Sequence, residues 1–116
     1  MTARQKFLVI HMTDRAGADW DPDIDGVALQ RWLEFRDGPD GWEANGQTVS
    51  GPEQARRITA HRGEVVVTDG PFPEFTEWFL GVEWIEAVDI EEATRLLESH
   101  STARIGRMYL VPASGQ

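Results

Sequence analysis

The segment Lys6 to Met12 constrains the fold more than any other part of the chain. In a strand, Phe7, Val9 and His11 fall on one face while Leu8, Ile10 and Met12 fall on the other. A strand that is apolar on both sides belongs in the middle of a sheet whose two faces are both covered. The chain has 116 residues, the size of a single domain spanning residues 1–116. Such a chain buries about two-thirds of its unfolded surface, enough for a core without disulfide or metal support.

Charge narrows the partners. Eleven basic side chains stand against 20 acidic ones, a net charge of −9, which disfavours nucleic acid and anionic membrane surfaces because phosphate binding needs clustered Lys and Arg. There is no cysteine, so disulfide scaffolds, thiolate metal sites and thiol nucleophiles are excluded. The apolar run Phe7 to Ile10 is too short for a secretory core of about 7–15 residues or a spanning helix of about 20. A cytoplasmic location is expected. No Gly-rich phosphate loop, dinucleotide fingerprint or His-x-x-x-His pair occurs, so no cofactor and no metal are expected.

The remaining elements follow from periodicity and punctuation. Asp14 to Asp25 reads as a polar loop, and a helix is predicted from Asp25 through Arg36, with Asp25 as N-cap and Val27, Trp32, Leu33 and Phe35 as its apolar stripe. Asp37-Gly38-Pro39-Asp40-Gly41 stops it. A short strand is expected around Gln47 to Ser50. Ala55 to Ala60 and Glu64 to Thr68 flank His61-Arg62-Gly63 as a hairpin. Phe79 to Val88 reads as a long strand. Asp89 caps a second helix with Glu92 three residues later, and Ile90, Ala93 and Leu97 form its buried stripe. Ile105 to Val111 is the last strand, stopped by Pro112. The order matches a ferredoxin-like βαββαβ sandwich of the α+β class with an inserted hairpin. Its two helices would cover one sheet face, and a second subunit would cover the other, giving a homodimer.

Val65-Val66-Val67-Thr68-Asp69-Gly70-Pro71-Phe72 is the most specific stretch. It resembles the signature of the YCII-related family, in the branch named after its Asp-Gly-Pro-Phe tetrapeptide. Gly63 before the motif, Gly81 after it, the helix start Val88 to Ala93 and the last strand Arg107 to Pro112 resemble the family pattern over roughly residues 6–112. The resemblance implies a dimeric α/β-barrel subunit of bacterial cytoplasm. Some members of the wider family act on small chlorinated aromatic compounds, and others in this branch are linked to sigma factors. The family's proposed catalytic pair is a helix-one His and a following Asp, and residues 26–36 of this chain contain no His.

Several side chains carry candidate chemistry. Asp69, in a loop stiffened by proline, either accepts a proton or fixes a polar ligand; alternatively its oxygen bonds the backbone N–H groups around Gly70 and Phe72 and holds the turn. His11 is the candidate acid/base at the strand end, or simply a packed imidazole. The two together form the candidate catalytic pair. Phe72 and Trp84, with Phe75, Trp78 and Phe79, either line an aromatic pocket or belong to the core and dimer contact. Arg57, in a local cluster with Arg56 and Arg62, is the candidate anchor for a carboxylate or phosphate, or else a solvated side chain paired with the acidic surface. His61 and His100 are predicted to be exposed. Asp21, Asp23, Asp25 and Gly26 copy the opening of a calcium loop, but its twelfth position is Trp32 where a bidentate Glu is needed. A solvated acidic loop capping the helix is the simpler reading.

Two functions follow. The first is binding of a small neutral or aromatic molecule near the Asp-Gly-Pro-Phe loop, with acid/base activity by His11 and Asp69. The second is a non-catalytic interaction module tied to transcription through a protein partner. Most of the excess acid lies in residues 69–98, where Arg95 is the sole base. That span is expected to form one acidic face that repels anions.

Overall fold

The computed structural model of the protein describes residues 4–14, 19–37 and 45–116. It is an α+β fold with antiparallel sheets. Strand β1 (Gln5–Asp14), helix α1 (Asp25–Asp37) and strand β2 (Asn45–Thr48) come first. A short 3-10 turn at Pro52–Gln54 leads to β3 (Arg56–His61) and β4 (Glu64–Asp69). Then follow β5 (Glu77–Ala87), α2 (Ile90–Leu97), a one-turn α3 (Thr102–Ile105) and β6 (Arg107–Pro112). The expected helix stop at Gly38-Pro39-Asp40-Gly41 and the side chain of Phe35 lie outside the described residues.

Four strands form the main sheet in the order β2-β5-β1-β6, every pair antiparallel. The two-faced apolar strand is indeed internal, hydrogen-bonded on both edges by β5 and β6. Its alternation is sharp: Phe7, Val9, His11 and Thr13 are buried, while Leu8, Ile10 and Met12 on the opposite face are half-buried. The buried face of β5 carries Gly81, Glu83, Ile85 and Ala87. Trp32 from α1 and Ala93 and Leu97 from α2 close over that face with Phe7, Val9 and Ile85 as the core. The helices therefore cover one side only. Val82, Trp84, Tyr109 and Val111 leave the other side apolar and exposed, with Trp84 opposite Leu8 and Tyr109 opposite Ile10.

The helix caps follow sequence logic in one case and depart from it in another. Asp89 Oδ1 accepts from the Glu92 N–H at 2.8 Å, and Glu92 Oε2 accepts from the Val88 N–H at 3.2 Å, the reciprocal arrangement that the Asp-x-x-Glu spacing predicts. Ile90 is exposed, so the buried stripe of α2 is Ala93 and Leu97. Asp25 is buried rather than an open cap. It accepts from the Asp21 N–H at 2.7 Å and from Arg104 Nε at 2.7 Å. Hydrogen bonds from Arg104 hold the Asp25 carboxyl below the usual carboxylate range against the opposing effect of burial, helped by the Asp21 N–H and the Arg104 charge. One of the three carboxylates that would form the opening of a calcium site is thus already matched by a guanidinium.

Strands β3 and β4 form their own two-stranded sheet. Arg62 and Gly63 turn the hairpin with φ of 51° and 82°, as a two-residue turn with both central residues left-handed requires. The hairpin projects from the body. The radius of gyration is 16.6 Å, against about 13 Å for a compact chain of this length. Ile58 is 70% and Val65 62% exposed, and every residue of β3 is exposed.

Candidate functional site

The helix-covered face of the sheet is apolar along Phe7, Val9 and Ile85, and turns polar at one end. His11 on β1 lies opposite Gly81 on β5. The diagonal neighbour Glu83 shares the buried face with His11 and reaches the imidazole, as long side chains two residues apart across a ladder can. His11 Nε2 and Glu83 Oε1 are 2.8 Å apart. Both residues are buried, at 7% and 6% exposure.

The third and fourth members come from the turn between α2 and α3. His100 continues the end of α2, its N–H bonded to Leu97 O at 3.0 Å. Its ring centroid lies 4.7 Å from that of His11 and 5.3 Å from Trp32. Thr102 Oγ1 is 2.9 Å from His11 Nδ1, and the Thr102 backbone N–H donates to His100 Nδ1 at 3.1 Å.

These contacts fix protons. A carboxylate only accepts, so His11 Nε2 carries hydrogen toward Glu83, and Nδ1 faces the Thr102 hydroxyl. A backbone N–H only donates, so His100 Nδ1 is bare and the proton of neutral His100 sits on Nε2. Burial lowers the His100 pKa to about 4; the neighbouring His11 acts in the same direction, and Glu83 partly opposes both. The imidazole is therefore neutral at neutral pH.

The cluster ends a cavity of about 340 Å³ between α1, the sheet and α3. Trp20, Leu29, Trp32, Leu33, Leu80 and Ile105 make most of its wall apolar. This is an ordinary size for a small-molecule site, with a few polar groups converging at one end. The arrangement supports proton transfer: a hydroxyl, an imidazole and a carboxylate lie in line, beside a neutral imidazole that donates.

Donor atoms of His11, Glu83 and His100 all lie within 4.8 Å of one another, the composition of a two-His-one-carboxylate metal set. The hydrogen bonds oppose that use. A metal on His100 Nε2 would leave the neutral ring's proton on Nδ1, aimed at the Thr102 N–H. The residues as arranged fit a hydrogen-bonded cluster better than a metal centre.

The expected site residues are dispersed. His11 is in the cluster. Asp69 ends β4 on the exposed hairpin, where its carboxylate accepts from Arg56 Nε at 3.0 Å. The position beside His11 that the sequence reading gave to Asp69 is held by Glu83, because β4 leaves the main sheet and β5 does not. Asp69 does not fasten its turn through the N–H groups of Gly70 or Phe72 either. The Gly70 N–H bonds Ala55 O at 2.8 Å, and a Cβ on Gly70 would stand 1.9 Å from Pro52 O. The Gly70-Pro71 peptide is cis, and Phe72 is the loop's buried anchor.

Phe72 and Arg57 meet elsewhere. The Arg57 guanidinium sits 5.1 Å from the Phe72 ring centroid and pairs with Glu74. Phe72 stacks with Trp78 at 6.1 Å, and Trp78 meets Phe75 and Phe79 at 5.7 and 5.4 Å. This cluster lines a second hollow of about 630 Å³ at the hairpin's base. Trp84 is in neither group; it stands on the open sheet face, 44% exposed.

Sequence reasoning passed over Glu83, counting it in an acidic face, and placed His100 at the surface. Both are buried, and the acidic face is correspondingly broken up. Glu83 points inward, Glu77 pairs with Arg107, and Glu74 pairs with Arg57. A signal for Glu83 existed: it shares the period-two face of Gly81, Ile85 and Ala87, an apolar face on which an acid needs a partner. No helix among the described residues is long and apolar enough to cross a membrane. Comparison with models of known protein families and with curated proteins gives no match for this chain.

Proposed function

We propose that the protein binds a small neutral or aromatic molecule in the cavity beside His11 and acts on it by proton transfer. The observation that carries this reading is the His11–Glu83 hydrogen bond at the polar end of an otherwise apolar cavity. An acid kept buried against an imidazole is costly to maintain for packing alone, and such groups in a cavity mark functional sites. Glu83 takes the place beside His11 first given to Asp69, and the His11–Glu83 pair is the unit that moves the proton. Asp69, Phe72, Arg57 and Trp84 lie outside this cavity, on the loop, the hairpin base and the open sheet face.

The strand order, with paired β1-α1-β2 and β5-α2-β6 halves, supports a ferredoxin-like subunit with β3 and β4 inserted. The resemblance to the YCII-related family points the same way. A second copy is the proposed cover for Trp84, Tyr109, Val82 and Val111, since a monomer rarely leaves such a patch to water. Cytoplasmic location follows as part of the same reading.

Titration with 2-naphthol, read by tryptophan fluorescence, tests the cavity, because Trp20 and Trp32 both line it. Quenching is expected in the wild type and not in Leu29→Trp, which fills the space. Equal binding by both proteins would place the ligand elsewhere. A second reading, an interaction module with a protein partner, draws on the projecting hairpin and its exposed Ile58 and Val65. Deleting residues 57–67 while retaining naphthol binding would separate the two.

A further inference from the structure

Two polar atoms of the cluster have no hydrogen-bond partner among the described residues and yet are not sealed in. His100 Nδ1 is taken by Thr102, and Glu83 Oε1 by His11; His100 Nε2 and Glu83 Oε2 are left over. Thr13 Oγ1 is the one side-chain polar atom among the described residues that is both fully buried and without a partner. The two leftover atoms therefore reach open space, and the space that both residues line is the cavity. One is a fixed N–H donor and the other an acceptor.

We propose that the cavity takes a neutral, ring-bearing ketone with a C–H next to its carbonyl, and that the site exchanges or shifts that hydrogen through the enolate. This rests on the cavity being the ligand site. The carbonyl oxygen accepts from His100 Nε2–H. The neighbouring carbon, two bonds away, faces Glu83 Oε2. Donor and acceptor residues lie close enough for one small molecule to bridge them, their ligating atoms being within 4.8 Å.

The step balances without a co-reactant. Glu83 Oε2 takes the proton from the carbon next to the carbonyl. The C–H electron pair becomes the new C=C bond, and the C=O π pair moves to the oxygen, where His100 Nε2–H stabilises the developing charge. The proton returns from Glu83 to that carbon, or to a conjugated one, giving the ketone or its isomer. Burial keeps the His100 imidazole neutral, and a neutral imidazole can polarise a carbonyl through its N–H. His11 is a positioning residue, holding Oε1 so that Oε2 faces inward. The apolar wall excludes water from the enolate. The cavity's fit for a neutral ligand agrees with the net charge of −9.

The test follows deuterium uptake into 2-tetralone in D2O by NMR, alongside fluorescence binding of 2-naphthol, an enol mimic that cannot exchange in this way. The wild type should exceed buffer, and Glu83→Gln should lower the enzyme-dependent rate by about 10²-fold or more while still binding naphthol. His100→Phe, which keeps a ring and removes the N–H, should lower both the rate and the affinity. Naphthol binding without exchange overturns the enolisation and leaves the cavity reading standing. Absence of naphthol binding overturns both. Exchange that survives Glu83→Gln also overturns the proposal, and unchanged near-ultraviolet circular dichroism verifies that each variant is folded.

Discussion

Glu83 and His11 are diagonal neighbours on adjacent strands, 72 positions apart in the chain and joined by a 2.8 Å hydrogen bond beneath the helices. The register explains the pair. His11 faces Gly81 and Val9 faces Glu83, so the acid and the imidazole lie diagonally on one buried face, within reach of each other. Removing either partner leaves the other buried and unmatched, which is more costly than losing the bond itself. Glu83→Ala should lower stability by about 3 kcal/mol in urea unfolding, whereas Glu83→Gln, which still accepts, should lower it by less than half as much.

Stability should depend on pH through His100. Its folded pKa is near 4 and its ordinary value is 6.5, so between those values the unfolded chain binds the extra proton and the folded one does not. Stability then rises with pH across that window and is fully present above about 6.5. His11 and Glu83 face the same ring, so the measurement is a difference. The wild type should lose on the order of 3 kcal/mol between pH 6.5 and 4 relative to His100→Phe, read from urea midpoints at each pH.

Gly70 is fixed by packing rather than by backbone freedom. Its missing side chain is filled by Pro52 O, 1.9 Å from where a Cβ would stand. Gly70→Ala should cost about 2 kcal/mol or more and loosen the hairpin base. Asp69→Ala, which removes only an exposed pair with Arg56, should cost under about 1 kcal/mol. Equal losses would show that the carboxylate holds the turn after all.

Assembly should depend on the open sheet face. Trp84→Glu places a charge opposite Leu8 and beside Val82 without touching the helix-covered core. Light scattering after size exclusion should give a dimer for the wild type and a monomer for the variant. A wild-type monomer at micromolar concentration would refute the interface.

The hydrogen-bonded arrangement of His11, Glu83 and His100 also bears on metal. Dialysis against a chelator should leave the melting temperature unchanged within 1 °C, roughly the shift that a few tenths of a kcal/mol produces. Added Zn²⁺ should show no stoichiometric binding by calorimetry.

Signals that act between near neighbours in the chain sufficed for the local elements. Period-two alternation made β1 internal and set its two faces. The Asp89–Glu92 spacing capped α2, and the hairpin turned at Arg62-Gly63 because these signals act within a few residues. Long-range pairing and packing set the rest. Asp69 looked catalytic because its loop is distinctive, but whether β4 joins the main sheet or leaves it is set by long-range pairing. Whether His100 is buried depends on the one-turn helix α3, too short to announce itself by periodicity. Glu83 became a site residue only when β5 paired with β1 in a register that put Gly81 across from His11. A partner for a buried charge is a fact of three-dimensional proximity, and along the chain an inward acid and an outward one are the same letter.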